Sequence, residues 1–141
     1  MGNYTELNIA VKLKLTDNIR KILEYMTGNR SDTDFTVPTH PLFESPRWKF
    51  MLMCDSFYFD HTANSSLVNK KPREEEDDDM ERIINVRCDL KNYNDEIENF
   101  LDWIHPFTAT RGFIGYMRYE EDENPTLIYF TDSGVEYKEV D

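Results

Sequence analysis

The stretch Leu7–Leu15 constrains this chain more than any other, because Leu7, Ile9, Val11, Leu13 and Leu15 alternate with Asn8, Ala10, Lys12 and Lys14. A strict period of two over that length describes a strand with one face on a core and one near water. Two later stretches carry matching helical stripes. Ile19, Ile22, Leu23 and Met26, and then Ile97, Phe100, Leu101 and Ile104, recur at i, i+3, i+4 and i+7. Both helices are therefore expected on one side of a sheet, which leaves the other side free.

At 141 residues the chain fits a single domain, 1–141, large enough to fold without disulfide or metal staples. Apolar residues at 39% and aromatics at 13% exclude a disordered chain, although 31% of the residues are charged. The net charge of −12 argues against direct nucleic-acid binding, which draws its affinity from Lys and Arg set against phosphates. Part of that charge is local, since Glu74, Glu75, Glu76, Asp77, Asp78 and Asp79 are consecutive. Cys54 and Cys88 fall on the apolar parity of expected strands and read as buried thiols. The start Met1-Gly2-Asn3-Tyr4 has no signal-peptide pattern, and no apolar run approaches membrane-spanning length. An intracellular protein without membrane association is expected.

Thr16 or Asp17 caps the first helix and Gly28 stops it; Asn29–Pro46 then forms a long connection rich in Ser, Asp, Thr and Pro. Arg47–Phe59 reads as the second strand, with Trp48, Phe50, Leu52 and Cys54 on one parity and Lys49, Met51 and Met53 on the other. Residues 60–81 read as a charged, mobile loop. Arg82–Leu90 resumes alternation, Asn92 or Asn94 caps the second helix, and Pro106 ends it. Gly112–Glu120 and Thr126–Thr131 follow as a hairpin, with Val135–Val140 as an added edge strand. This order predicts an α+β fold: a ferredoxin-like two-layer sandwich, β-α-β-β-α-β plus a C-terminal strand extension, with an antiparallel sheet and two helices on one face.

Parity then collects Asn8, Lys12, Lys14, Lys49, Asn85, Arg87, Tyr116 and Arg118 on the free face. Lys12, Lys49, Arg87, Tyr116 and Arg118 are the candidate ligand-binding residues, because cationic forks suit phosphate or carboxylate and a phenol ring offers a stacking surface. The plainer reading is cross-strand pairing of these cations with Glu6, Asp89 and Glu120. His40, His61 and His105 lack the spacing of a zinc site, so no metal or cofactor is expected. No nucleophile elbow or glycine-rich phosphate loop occurs, so the chain does not read as an enzyme. Gly112 and Gly115 sit inside a strand pattern, where close packing or a bulge uses them. Trp48 and Trp103 read as core anchors.

Several segments together carry a resemblance: Tyr4-Thr5-Glu6-Leu7; His40-Pro41-Leu42-Phe43 with Pro46-Arg47-Trp48; Asp89-Leu90-Lys91-Asn92-Tyr93 with Glu96-Ile97-Glu98; Asp102-Trp103-Ile104; and Gly115-Tyr116 through Arg118-Tyr119-Glu120-Glu121 with Pro125-Thr126-Leu127-Ile128-Tyr129. The chain resembles, over nearly its whole length, a group of small proteins of tailed bacteriophages and prophages to which no reaction is assigned. The resemblance implies a phage accessory protein in the host bacterial cytoplasm. Such proteins counter host defence either by sequestering a nucleotide signal or by capping a defence protein, some as acidic mimics of nucleic acid. The expected function is non-enzymatic sequestration of a small anionic ligand on the free sheet face; the alternative is acidic protein–protein inhibition of a host defence protein. The edge at Val135–Val140 also admits a homodimer by strand pairing.

Overall fold

A computed structural model describes residues 3–69 and 81–140. Its regular elements are β1 (Tyr4–Lys14), α1 (Asp17–Met26), β2 (Ser66–Val68), β3 (Glu81–Lys91), α2 (Glu96–Ile104), β4 (Gly112–Tyr119), β5 (Thr126–Thr131) and β6 (Gly134–Glu139). All strand pairings are antiparallel, in one open six-stranded sheet of order β2-β3-β1-β4-β5-β6. With its two helices the architecture is α+β.

β1 is central, paired with β3 from Tyr4↔Lys91 to Lys14↔Glu81 and with β4 from Thr5↔Tyr119 to Ile9↔Gly115. Leu7, Ile9, Val11, Leu13 and Leu15 are at most 2% exposed, and the expected stripes of both helices join them in one core. Alternation on β1 is therefore realised as read. Thr16 caps α1, its Oγ1 accepting from the Ile19 amide, and Gly28 at φ +112° lets the chain turn off after Met26. At α2 the Asn92 side chain reaches forward to accept from the Ile97 amide at 2.8 Å.

Arg47–Phe59 is not a strand. Three 3₁₀ turns, Pro41–Glu44, Pro46–Lys49 and Met51–Met53, occupy residues 41–53 instead. Pro46 sits in the first turn with Ser45 as its cap, and the buried residues Trp48, Met51 and Leu52 recur at i, i+3 and i+4 beneath the apparent alternation. Phe43 packs edge-on against both Trp48 and Trp103, with ring centroids at 4.9 and 5.0 Å, so both indoles lie in the core. The segment is pinned to α2 by the fully buried Glu96 carboxylate, which accepts from Ser45 Oγ at 2.8 Å and lies 3.2 Å from Arg47 Nε. The second strand is Ser66–Val68, inside the stretch read as a loop over 60–81; residues 70–80, with the acidic run, lie outside the described residues.

β4 holds the sharpest local constraint. A Cβ on Gly115, at φ +149°, would lie 2.0 Å from the Asn8 carbonyl oxygen and 2.8 Å from Ile9 Cα, both backbone atoms that cannot swing aside. The register with β5 shifts between Phe113 and Gly115, a bulge that reverses side-chain parity. Ile114 turns into the core, and Phe113 turns outward to meet Tyr129 with ring centroids at 5.7 Å. Gly115→Ala is expected to lower the unfolding free energy by roughly 3 kcal/mol, overpacking adding to backbone strain. Gly112→Ala, with no atom within 4 Å of the added Cβ, should cost about 1–2 kcal/mol for strain alone. Urea denaturation of both variants reads the difference.

Candidate functional site

The sheet face turned away from the helices is built by the even positions of β1 and their cross-strand partners. Glu6 stands opposite Asp89 and Arg118; Asn8 opposite Arg87 and Tyr116; Ala10 opposite Asn85; Lys12 opposite Ile83. One row crosses five strands, from Arg87 through Asn8, Tyr116 and Leu127 to Lys138. At the usual strand spacing, Arg87 and Tyr116 stand about 10 Å apart.

This face falls into two parts. At the end where β1 begins it is covered by residues 55–63, which leave β3 after the Asp89 amide donates to the Cys54 carbonyl and return where the Asn64 amide donates to the Arg87 carbonyl. The cover is fastened from above and below. His61 Nε2 lies 2.9 Å from Asp89 Oδ2, both side chains being nearly inaccessible, and Arg118 stacks over the buried Phe59 ring while its Nε donates to Glu6 at 3.0 Å. Asp89 Oδ1 is buried with no hydrogen-bond partner among the described residues, and Glu6 stands directly across the strand pair from Asp89. Two carboxylates and a histidine are thus packed out of water under one loop, with the half-buried Arg118 closing its rim. Tyr58 and Tyr4 stack at its margin with centroids at 5.3 Å.

The remainder is covered by no other described segment. Ala10, Lys12, Lys14, Asn85, Arg87 and Phe113 are exposed, with Asn8, Tyr116, Leu127 and Tyr129 half-buried between them. Lys12 pairs with Glu81 at 2.9 Å, whereas the Arg87 guanidinium has no ion-pair partner among the described residues. An open arginine fork, amides on both sides of it and aromatic rings one or two strands away can hold an anionic group and stack a planar one.

Of the five residues singled out from sequence, the sheet brings Lys12, Arg87, Tyr116 and Arg118 to one face. Lys49 stands elsewhere: the 3₁₀ turn that replaces the expected strand places it, exposed, in the helix-side layer, where its carbonyl accepts from Arg30. Arg118 is committed to Glu6 and Phe59, and its Nη1 also donates to the Asp122 carbonyl at 3.0 Å. Phe113, Tyr129, Leu127 and Lys138 were missed; the glycines around Phe113 were the available signal for the bulge. His40 contacts Asp102 and caps a 3₁₀ turn, His105 contacts the Thr131 carbonyl, and no group of three metal-ligating side chains occurs among the described residues. Cys88 is fully buried, which pushes its thiol far above the ordinary range, and burial also raises the half-buried Cys54. No helix among the described residues is long and apolar enough to cross a membrane.

No protein-family model, no curated protein and no solved structure matches this chain.

His61→Ala removes the one side chain that, among the described residues, is bonded to the buried Asp89 carboxylate. The variant should lose about 3 kcal/mol in urea denaturation, because a buried charge is left alone. Asp89→Asn, which removes that charge, should lose less.

Proposed function

We propose that the protein is a non-enzymatic binding module whose working surface is the uncovered part of the sheet face. The observation that carries this reading is the row Arg87–Asn8–Tyr116, a guanidinium with no ion-pair partner among the described residues, an amide and a phenol ring adjacent across three strands of a chain whose net charge is −12. The ligand class it suits is small, anionic and planar, a nucleotide-type molecule with its phosphate on Arg87 and its base against Tyr116. With the resemblance to small phage proteins, we read the protein as an accessory factor in the host bacterial cytoplasm that counters host defence by holding such a signal. The finer architecture is part of the same reading: the strands β2-β3-β1-β4 with α1 and α2 are taken as a ferredoxin-like unit, and β5 and β6 as its extension.

A second reading rests on the acidic turn between β4 and β5. Glu121, Asp122 and Glu123, with Glu139 of β6, line a hollow of about 410 Å³. In this reading the acidic surface occupies a basic groove of a host defence protein, and affinity falls steeply with salt.

Isothermal titration against a panel of cyclic and linear nucleotides tests the first reading. A micromolar binder is expected, weakened at least about tenfold by Arg87→Ala, since a charged hydrogen bond contributes about 1.5–3 kcal/mol. Tyr116→Ala should weaken it as well, and Lys49→Ala should leave it unchanged. A panel with no micromolar binder rejects the small-ligand reading.

A further inference from the structure

The margin of the sheet formed by β6 points to a partner of defined chemistry, and this is independent of what the open face binds. β5 and β6 are joined by the two-residue turn Asp132–Ser133, closed by the pair Thr131↔Gly134. In a hairpin of that kind the closing pair is hydrogen-bonded, so Gly134, Glu136 and Lys138 turn their backbone groups toward β5. Val135, Tyr137 and Glu139 turn theirs outward, and no strand among the described residues receives them. An unpaired antiparallel edge of six residues is a template for another strand.

The side chains on that edge say which strand fits. Glu136 and Lys138 lie on the open face, opposite Tyr129 and Leu127, while Tyr137 lies on the helix face opposite Ile128. If a second copy continues the sheet about a twofold axis, open face must meet open face. Directly opposed residues share a face, so the axis must pass through a residue. An axis at Glu136 opposes two glutamates, and one at Lys138 opposes two lysines, like charges that destabilise a cross-strand pair. An axis at Tyr137 instead sets Glu136 against Lys138 of the second copy twice over. It also aligns the outward backbone groups of Val135, Tyr137 and Glu139 with those of Glu139, Tyr137 and Val135, the largest number of bonded pairs that the edge allows.

We propose that two copies of this chain pair antiparallel through β6, with the twofold axis at Tyr137 and reciprocal Glu136–Lys138 ion pairs, into one continuous sheet of twelve strands. The tyrosines meet on the helix side, where Tyr137, 42% exposed in the single chain, finds a cover. The segment Glu-Tyr-Lys is self-complementary in charge only in this register, so edge charges that would repel in other alignments select one.

Sedimentation velocity on the whole chain over a range of concentrations tests the pairing. The unchanged protein is expected to sediment as a dimer. Lys138→Glu puts like charges opposite one another twice and should raise the dimer dissociation constant at least about tenfold, with circular dichroism unchanged. The exchanged variant, Glu136→Lys with Lys138→Glu, restores complementarity and should dimerise like the unchanged chain. A monomer at every concentration, or a Lys138→Glu variant that dimerises as well as the parent, overturns the proposal. An exchanged variant that stays monomeric overturns the register.

Discussion

The structure depends on β1 being flanked on both sides. A strand hydrogen-bonded to two neighbours has no rotational freedom left, so Leu7 to Leu13 are committed to the core side and Glu6, Asn8, Ala10 and Lys12 to the other. A slip of one residue would bury Lys12 and Lys14 and expose five large aliphatic side chains. At roughly 1.5–3 kcal/mol for each fully buried side chain, that penalty far exceeds any cross-strand pair on the opposite side. The core fixes the register, and the register in turn decides which polar groups stand together.

The same commitment explains what was and was not legible beforehand. Local periodicity reveals an element whose own residues alternate or repeat, so β1, β3 and both helices could be read from their apolar positions. The segment around Trp48 misled because its two tryptophan-flanking parities are both apolar. A run apolar on both parities carries no period, and there Pro46 and Ser45 decided the backbone in favour of 3₁₀ turns. The bulge at Gly115 was only half legible: the glycine marked a close approach, but the partner atoms, Asn8 O and Ile9 Cα, come from a strand a hundred residues away. Placement of Lys12, Arg87, Tyr116 and Arg118 followed from parity, and the Arg118–Glu6 pair from the plainer cross-strand reading; the Lys12–Glu81 pair did not. Whether an arginine is free or spent depends on what lies above it, and Phe59, read into a strand, and His61, read into a loop, gave no sign of lying there.

The loop over residues 55–63 divides a surface that parity alone treats as uniform. Beneath it, Glu6, Asp89 and His61 are withdrawn from solvent with the half-buried Arg118 at the rim, and their burial is compensated by mutual contacts, apart from one oxygen of Asp89. Beyond it, Arg87 and Lys12 remain wet. The strongest ion pairs of the face therefore belong to the fold, and its weakest-held cations are those available to a ligand. Contact with His61 and Arg118 under the loop also holds these two carboxylates away from the uncovered region, where Lys12, Lys14 and Arg87 stand within an acidic protein.

The strand order has a last consequence for the two borders of the sheet. The three-residue strand β2 forms one border and the six-residue strand β6 the opposite one, five inter-strand steps or about 24 Å away. Between β2 and the β5–β6 ribbon stand β3, β1 and β4, so a substitution at one border meets no side chain of the other.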